Sequence, residues 1–234
     1  MIAAILFDKD GTLYDFYHTW GALTEKAALM VAGGDAAQAR FLMENSGKDP
    51  VTGKYAPSSP IAAGSNRQIV ECWCGLIQRA DVDEVYETVR LMFLDHQKNG
   101  ADPVLDLDVF FGRLRGRGLR LGVATMDSEE AARAAMLRAK AVHHLDFICG
   151  FDTGHGVKPL GGMVEAFARE VGVALPHLAV VGDSPHDMHM ARAGKAGRAI
   201  GVLTGVSLRE VLSLHADLVL ESIADLETAL ELPV

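Results

Sequence analysis

An unbroken apolar run, residues 2–7, opens the chain and stops at Asp8-Lys9-Asp10-Gly11-Thr12-Leu13. A strand buried on both faces reads as continuous hydrophobics, so this run predicts the centre of a parallel sheet. From residue 106 onward, helical and strand patterns alternate. Strands are expected at 119–124, 145–149, 178–181, 198–202 and 217–220, with helices at 128–140, 159–171 and 185–193. A helical segment follows each of the last two strands. Such alternation requires right-handed crossovers and a parallel sheet covered on both faces.

Between Leu13 and Pro103 the pattern changes. Leu, Met, Ala and Phe recur at helical spacing over 19–31 and 35–45, a loop rich in Pro, Gly and Ser covers 47–64, and amphipathic helices are expected over 65–79 and 83–98. Ser65 and Asp83 are the expected amino-terminal caps of the last two. No strand is expected here. The fold class is therefore α/β: a Rossmann-like parallel sheet core with helices on both faces and an inserted α-helical domain. The core is expected to comprise residues 1–14 and 104–234 and the insertion 15–103, with hinges near 14–18 and 100–104.

Composition narrows the classes. With 234 residues, 49% of them hydrophobic and 23% charged, the chain is an ordinary folded protein. A formal net charge of −9 argues against a general nucleic-acid or membrane-surface binder. Three cysteines make no disulfide framework, and Cys72 and Cys74 have no second pair to complete a zinc site. The first apolar run is too short for a secretory signal and lacks a basic flank. No stretch approaches the ~18 apolar residues of a membrane helix. A cytoplasmic protein with a small-molecule partner is expected.

The chemistry gathers at strand ends. Side chains at i and i+2 share one face of an extended chain, so Asp8 and Asp10 reach into one small volume. Thr125 follows the second strand. Gly154-His155-Gly156-Val157 leads to Lys158-Pro159 before a helix, and Val180-Val181-Gly182-Asp183-Ser184-Pro185-His186-Asp187 ends another strand. In a parallel sheet these tips lie along one edge, where α/β folds place ligands. A carboxylate ~4 Å from a phosphate repels it by about 4 kcal/mol per unit charge at an effective dielectric near 20. Four carboxylates exclude an anion unless a divalent cation reverses the sign, and an all-oxygen site favours Mg2+. Thr125 and Lys158 supply donors for phosphoryl oxygens. The set reads as metal-assisted phosphoryl transfer.

The segments ILFDKDGTLYD, GVATMD, GVKP and VVGDSPHDM resemble, in order and spacing, the four motifs of the haloacid dehalogenase superfamily. The aspartate-nucleophile phosphatase branch fits best, with phosphoglycolate-phosphatase-like members the most similar, and the insertion resembles the C1-type cap. The resemblance implies that Asp8 is a nucleophile forming an aspartyl-phosphate. It makes Asp10 the group that protonates the leaving oxygen and later deprotonates water. The ordinary carboxylate pKa of about 3.9 must then be raised at Asp10, by proximity to Asp8 and partial burial. Asp183 would hold Mg2+ directly and Asp187 directly or through water, with Asp8 and the Asp10 backbone carbonyl completing the protein ligands. Thr125 and Lys158 would bind the transferring group.

Two departures from the phosphoglycolate-phosphatase pattern stand out: Met126, followed by an extra acid, Asp127, and Leu160-Gly161-Gly162 in place of a second proline. From the residues themselves, His18, Lys54, Tyr55 and Arg67 are the candidate substrate contacts on the insertion. An arginine there suits a carboxylate-bearing substrate. His186 and His189 are expected to face solvent, and His143-His144 to form a turn. The expected function is a magnesium-dependent phosphatase of a small, phosphoglycolate-like phosphomonoester, with a helical cap that closes to exclude water. A sugar phosphomutase and a phospho-ligand binder without turnover are the alternatives. A dehalogenase is disfavoured, because carbon–halogen displacement needs neither the metal nor Asp10.

Overall fold

The computed structural model describes residues 1–100 and 102–230. Position 101 of the second expected hinge and positions 231–234 of the expected core lie outside the described residues. The chain begins with β1 (Ala4–Phe7) and passes through five helices: α1 (Phe16–Val31), α2 (Ala36–Asn45), α3 (Pro60–Ala63), α4 (Asn66–Leu76) and α5 (Val82–Asn99). It then alternates as α6 (Leu107–Gly116), β2 (Arg120–Ala124), α7 (Glu129–Arg138), β3 (Phe147–Cys149), α8 (Gly162–Val171), β4 (Leu178–Gly182) and α9 (Pro185–Ala193). The last elements are β5 (Arg198–Val202), α10 (Arg209–Leu212), β6 (Leu218–Leu220) and α11 (Leu226–Ala229).

The six strands pair in the order β3-β2-β1-β4-β5-β6, and every pair is parallel. The chain moves outward from β1 through β2 to β3, then returns to the other side of β1 as β4. The carboxyl end of β1 is thus the point where strand order reverses, which leaves a crevice there. Alternation along β1 divides the core. Ile5 and Phe7 pack on one face with Phe110, Phe111, Leu114 and Met136. Ala4 and Leu6 pack on the other with Met163, Phe167 and Met188. Neither face meets water, which is why this strand shows no polar alternation.

The helices between Phe16 and Asn99 build a separate apolar cluster around Trp20, Trp73 and Phe93, joined by Val206 from the loop after β5. Trp20 meets Phe93 edge to face at 4.9 Å, and the Trp73 indole donates to Ser46 Oγ at 2.9 Å. A small contact of Leu94 with Ala131 and Ala134 ties α5 to α7.

Several local expectations shift. The first helix starts at Phe16 because Asp15 caps it, accepting from the His18 amide at 2.8 Å. The expected loop over 47–64 contains α3, a single turn too short to show periodicity, capped by Ser59 with Pro60 in its first turn. Ser65 caps α4 as expected, in a reciprocal box with Gln68. Asp83 does not cap α5; Asp81 occupies that place with its carboxylate on Arg79 and no side-chain bond to the helix, and Asp83 lies in the first turn. The helix expected from residue 159 starts at Gly162, because a turn closed by the Leu160 amide on Val157 O precedes it.

Candidate active site

Each acidic side chain at the carboxyl edge of the sheet is fixed by its own local device. Asp8 ends β1. Its Oδ1 accepts from Lys158 Nζ, while its Oδ2, buried, has no hydrogen-bond partner among the described residues. Lys158 also donates to Asp187 Oδ1 at 2.6 Å. Asp187 Oδ2 accepts from the Ser184 amide at 3.1 Å and from Ser184 Oγ at 2.6 Å, so the cap of α9 sets the carboxylate's angle. Asp183 Oδ2 accepts from the Val206 amide at 2.9 Å.

Two glycines make room for Asp183. Gly11 has φ +93°, and a Cβ there would lie 2.5 Å from the Asp183 carboxyl carbon; at Gly205 it would lie 1.8 Å from Asp183 Oδ2. Gly205→Ala is expected to displace Asp183 without unfolding the protein, and a displacement near 1 Å costs on the order of 100-fold in turnover. Steady-state kinetics on a variant with an unchanged melting profile checks this. Wild-type turnover would mean that the placement of Asp183 is unimportant.

Carboxylate oxygens of Asp8, Asp183 and Asp187 lie within 4.8 Å of one another, all three residues buried. One ammonium, Lys158, stands against the three carboxylates, leaving two negative charges. Burial pushes the Asp8 carboxyl up to about 7, with Lys158 pulling it down and Asp187 pushing it further up. Asp183 is held well above the ordinary carboxylate range by burial and by Asp8 and Asp187 beside it. Burial alone would lower Lys158, but Asp187 and Asp8 outweigh it and hold it above the lysine range. Three converging, all-oxygen carboxylates that outnumber the one ammonium beside them fit a divalent cation such as Mg2+. The Asp10 carboxylate is not one of these three and faces Lys9 instead.

Thr125 follows β2 and is buried. Its Oγ1 accepts from the Asp127 amide at 3.1 Å, so its own hydrogen remains for an incoming acceptor. Asp8, Asp10, Thr125, Lys158, Asp183 and Asp187 together line one cavity of about 50 Å³, roofed by Trp20, Ile61, Ala62 and Asn66 from the helical segment.

The expected contacts on the insertion are not brought there. Arg67 turns outward, with its guanidinium on Glu71 Oε1 at 2.7 Å and Asp83 Oδ1 at 2.6 Å. One residue is about 100° of helix, so Asn66 faces the cavity where Arg67 does not. His18 is exposed in the first turn of α1, away from the cavity lining. Lys54 is exposed, and Tyr55 is buried with its hydroxyl 3.1 Å from Thr24 Oγ1. His186 is half-buried and lines the cavity rather than facing solvent, whereas His189 is exposed. His143 and His144 form a 3-10 turn whose rings approach Asp108 at 3.5 and 2.8 Å.

Residue reasoning missed Lys9, Asn66 and the role of Asp127. Lys9 is fully buried, and its Nζ lies 2.8 Å from Asp10 Oδ2 and 3.1 Å from Asp127 Oδ2. The legible signal was a lysine at the end of an apolar strand, with an extra acid at position 127 available to pair with it.

A doubly wound parallel sheet with these acidic tips and two buried lysines, Lys9 and Lys158, at its switch point defines an α/β site suited to phosphoryl chemistry. A family model for haloacid dehalogenase-like hydrolases matches residues 2–195, and the chain belongs to that family. It is 30% identical, over 243 aligned positions, to a phosphoglycolate phosphatase of Rhodospirillum rubrum, spanning 100% of this chain and 92% of that protein. A phosphoglycolate phosphatase of Escherichia coli K12 is 28% identical over 123 residues, 52% of this chain and 48% of that one. Among solved structures, a predicted phosphoglycolate phosphatase from Haemophilus somnus superposes with a TM-score of 0.74 at 16% identity, over 98% of each chain. CbbY from Rhodobacter sphaeroides, in complex with phosphate, gives 0.69 at 20% identity over 97% of this chain and 96% of that one. At such identities these structures speak for the fold alone.

Proposed function

We propose that this chain is a phosphatase acting on a small phosphomonoester through an aspartyl-phosphate at Asp8. Residues 15–103 are its cap domain, over a core of residues 1–14 and 104–234. The observation that carries the reading is the Asp8 carboxylate on the cavity lining: its buried Oδ2 has no hydrogen-bond partner among the described residues, and its sister oxygen is clamped by Lys158. A carboxylate held this way has one lone pair aimed at an incoming electrophile and is already desolvated, as a nucleophile needs to be.

Asp8, Asp183 and Asp187, with the Asp10 carbonyl, would hold Mg2+, which when bound offsets the site's negative charge and draws charge from the phosphoryl oxygens. The Thr125 hydroxyl and the Lys158 ammonium bind those oxygens and orient phosphorus toward Asp8 Oδ2. Asp8 Oδ2 forms the new bond to phosphorus while the bond to the leaving oxygen breaks, and Asp10 gives that oxygen its proton. Water then attacks the phosphorus, Asp10 takes a proton from it, and phosphate departs with Asp8 restored. Ile61, Ala62 and Trp20 keep bulk water out while this happens.

The cavity sets the Thr125 and Lys158 donors beside the carboxylates beneath apolar residues of the cap, which supports a phosphoryl group on a small ester. The full-length likeness to the Rhodospirillum rubrum enzyme supports phosphoglycolate as the first ester to try. The test is a panel of phosphorylated metabolites, phosphoglycolate included, assayed with Mg2+ while resolving free phosphate from isomerised sugar phosphate. Catalytic phosphate release from a short ester is expected. An isomer formed without phosphate release would make the chain a mutase, and absence of turnover with every ester would make it a binding protein.

A further inference from the structure

Beneath the reacting groups lies a charged chain that phosphoryl binding does not use. Lys9 follows Asp8 by one residue and is fully buried. Its Nζ meets both oxygens of Asp10, Oδ1 at 2.9 Å and Oδ2 at 2.8 Å. The same nitrogen meets Asp127 Oδ2 at 3.1 Å. Asp127 Oδ1 is filled from two sides, by the Ser128 amide at 2.8 Å and by Asn66 Nδ2 at 2.8 Å. The rings of Trp20 and Tyr14 lie over the ammonium at 5.6 and 5.9 Å.

An ammonium within 2.9 Å of both oxygens of a carboxylate fixes where the group sits. Asp10 is therefore held in place by Lys9, and Lys9 in turn is anchored by Asp127. Asn66 and Trp20 belong to the helical segment, while Lys9, Asp10 and Asp127 belong to the sheet edge. A hydrogen bond and a cation–π contact thus cross from one to the other, and both end on this buried group. Lifting the helices would expose Asp127 Oδ1 and one face of the Lys9 ammonium to water.

We propose that Lys9 and Asp127 are positioning residues that hold the Asp10 carboxyl for proton transfer to the leaving oxygen, and that Asn66 makes this hold depend on the cap being seated. The inference rests on the phosphatase reading above. The extra acid after the second motif then ties the proton carrier to the closed state, so that the leaving oxygen is protonated only where water is excluded.

Leaving-group dependence tests it. An alkyl phosphomonoester needs a proton on its leaving oxygen, whereas p-nitrophenyl phosphate departs as a stable anion. kcat/KM reports only the steps through cleavage of the first P–O bond, so Asp10's later role with water does not enter. Lys9→Met is expected to lose on the order of tenfold or more in kcat/KM on the alkyl ester beyond its loss on the aryl ester, a fraction of the 100-fold or greater worth of an acid catalyst. Asn66→Ala should show the same split at about threefold to tenfold. Should Lys9→Met fail to fold, Lys9→Met/Asp127→Asn, which removes the pair together, and Asn66→Ala decide in its place. Equal losses on both esters would overturn the positioning role while leaving the phosphatase reading intact. Wild-type protein that releases no phosphate from either ester would overturn both.

Discussion

Asp8→Asn is expected to lose multiple-turnover phosphate release by about 10⁴-fold or more, the scale of nucleophile deletions in other enzymes that form covalent intermediates. The amide is isosteric with the carboxylate, so packing against the ends of β2 and β4 is kept, yet neither of its atoms can form a stable phosphoryl ester. Stability separates this loss from unfolding. The Asp8 carboxyl in the folded, metal-free protein ionises only near pH 7, against an ordinary value of 3.8. A raised carboxyl stabilises the fold in acid, and that contribution is lost as pH climbs from about 4 through about 7. Three units correspond to roughly 4 kcal/mol at most, with the pull of Lys158 already included in that rise. Asparagine does not ionise. The metal-free variant should therefore gain on the wild type in melting temperature between pH 5 and pH 8. A variant that stays folded and still turns over at a measurable fraction of the wild-type rate would remove the covalent route.

Lys158→Ala should lower kcat by about 100- to 1000-fold, the range seen when one preorganised donor to a developing charge is removed. Lys158 is the ammonium that meets both Asp8 and Asp187. Without it, a phosphoryl group entering the cavity meets buried carboxylates with no ammonium against them, and the Thr125 hydroxyl remains as a neutral donor. The same substitution strips two buried carboxylates of their partner, a change that costs about 3–5 kcal/mol when one member of a buried pair is deleted. Kinetics should accordingly be measured with Mg2+ present and on samples whose melting transition is still cooperative. Inorganic phosphate, a product that also competes for the cavity, should bind at least about tenfold more weakly to the folded variant. A near wild-type rate would mean that Lys158 serves folding and not the transferring group.

What can be read without coordinates divides by range. The strand 2–7, the acids at its end and the helix over 185–193 are legible because each depends on neighbours within a few residues: an apolar run, a carboxylate pair, a serine cap followed by proline. The convergence of Asp8, Thr125, Lys158, Asp183 and Asp187 follows from one topological premise, parallel strands ending on one edge. The single turn of α3 is too short for periodicity to register. The start of α8 escapes the sequence because a proline after Lys158 looks like a first helical position, whereas here it belongs to the preceding turn. Charge favours Arg67 over Asn66, but helical phase decides which side chain faces the cavity, and a one-residue error turns the answer away from it. Lys9 is hidden because a lysine beside two aspartates reads as a solvated residue until its partner at position 127, more than a hundred residues on, is brought to it.

The proposed mechanism requires a divalent cation among these clustered acids before a phosphoryl group can bind. Phosphate release from p-nitrophenyl phosphate, followed during exhaustive chelation and then during titration with Mg2+, tests it most directly. Activity should vanish with chelator and return as a saturating function of Mg2+. Full activity in the chelated protein would contradict it.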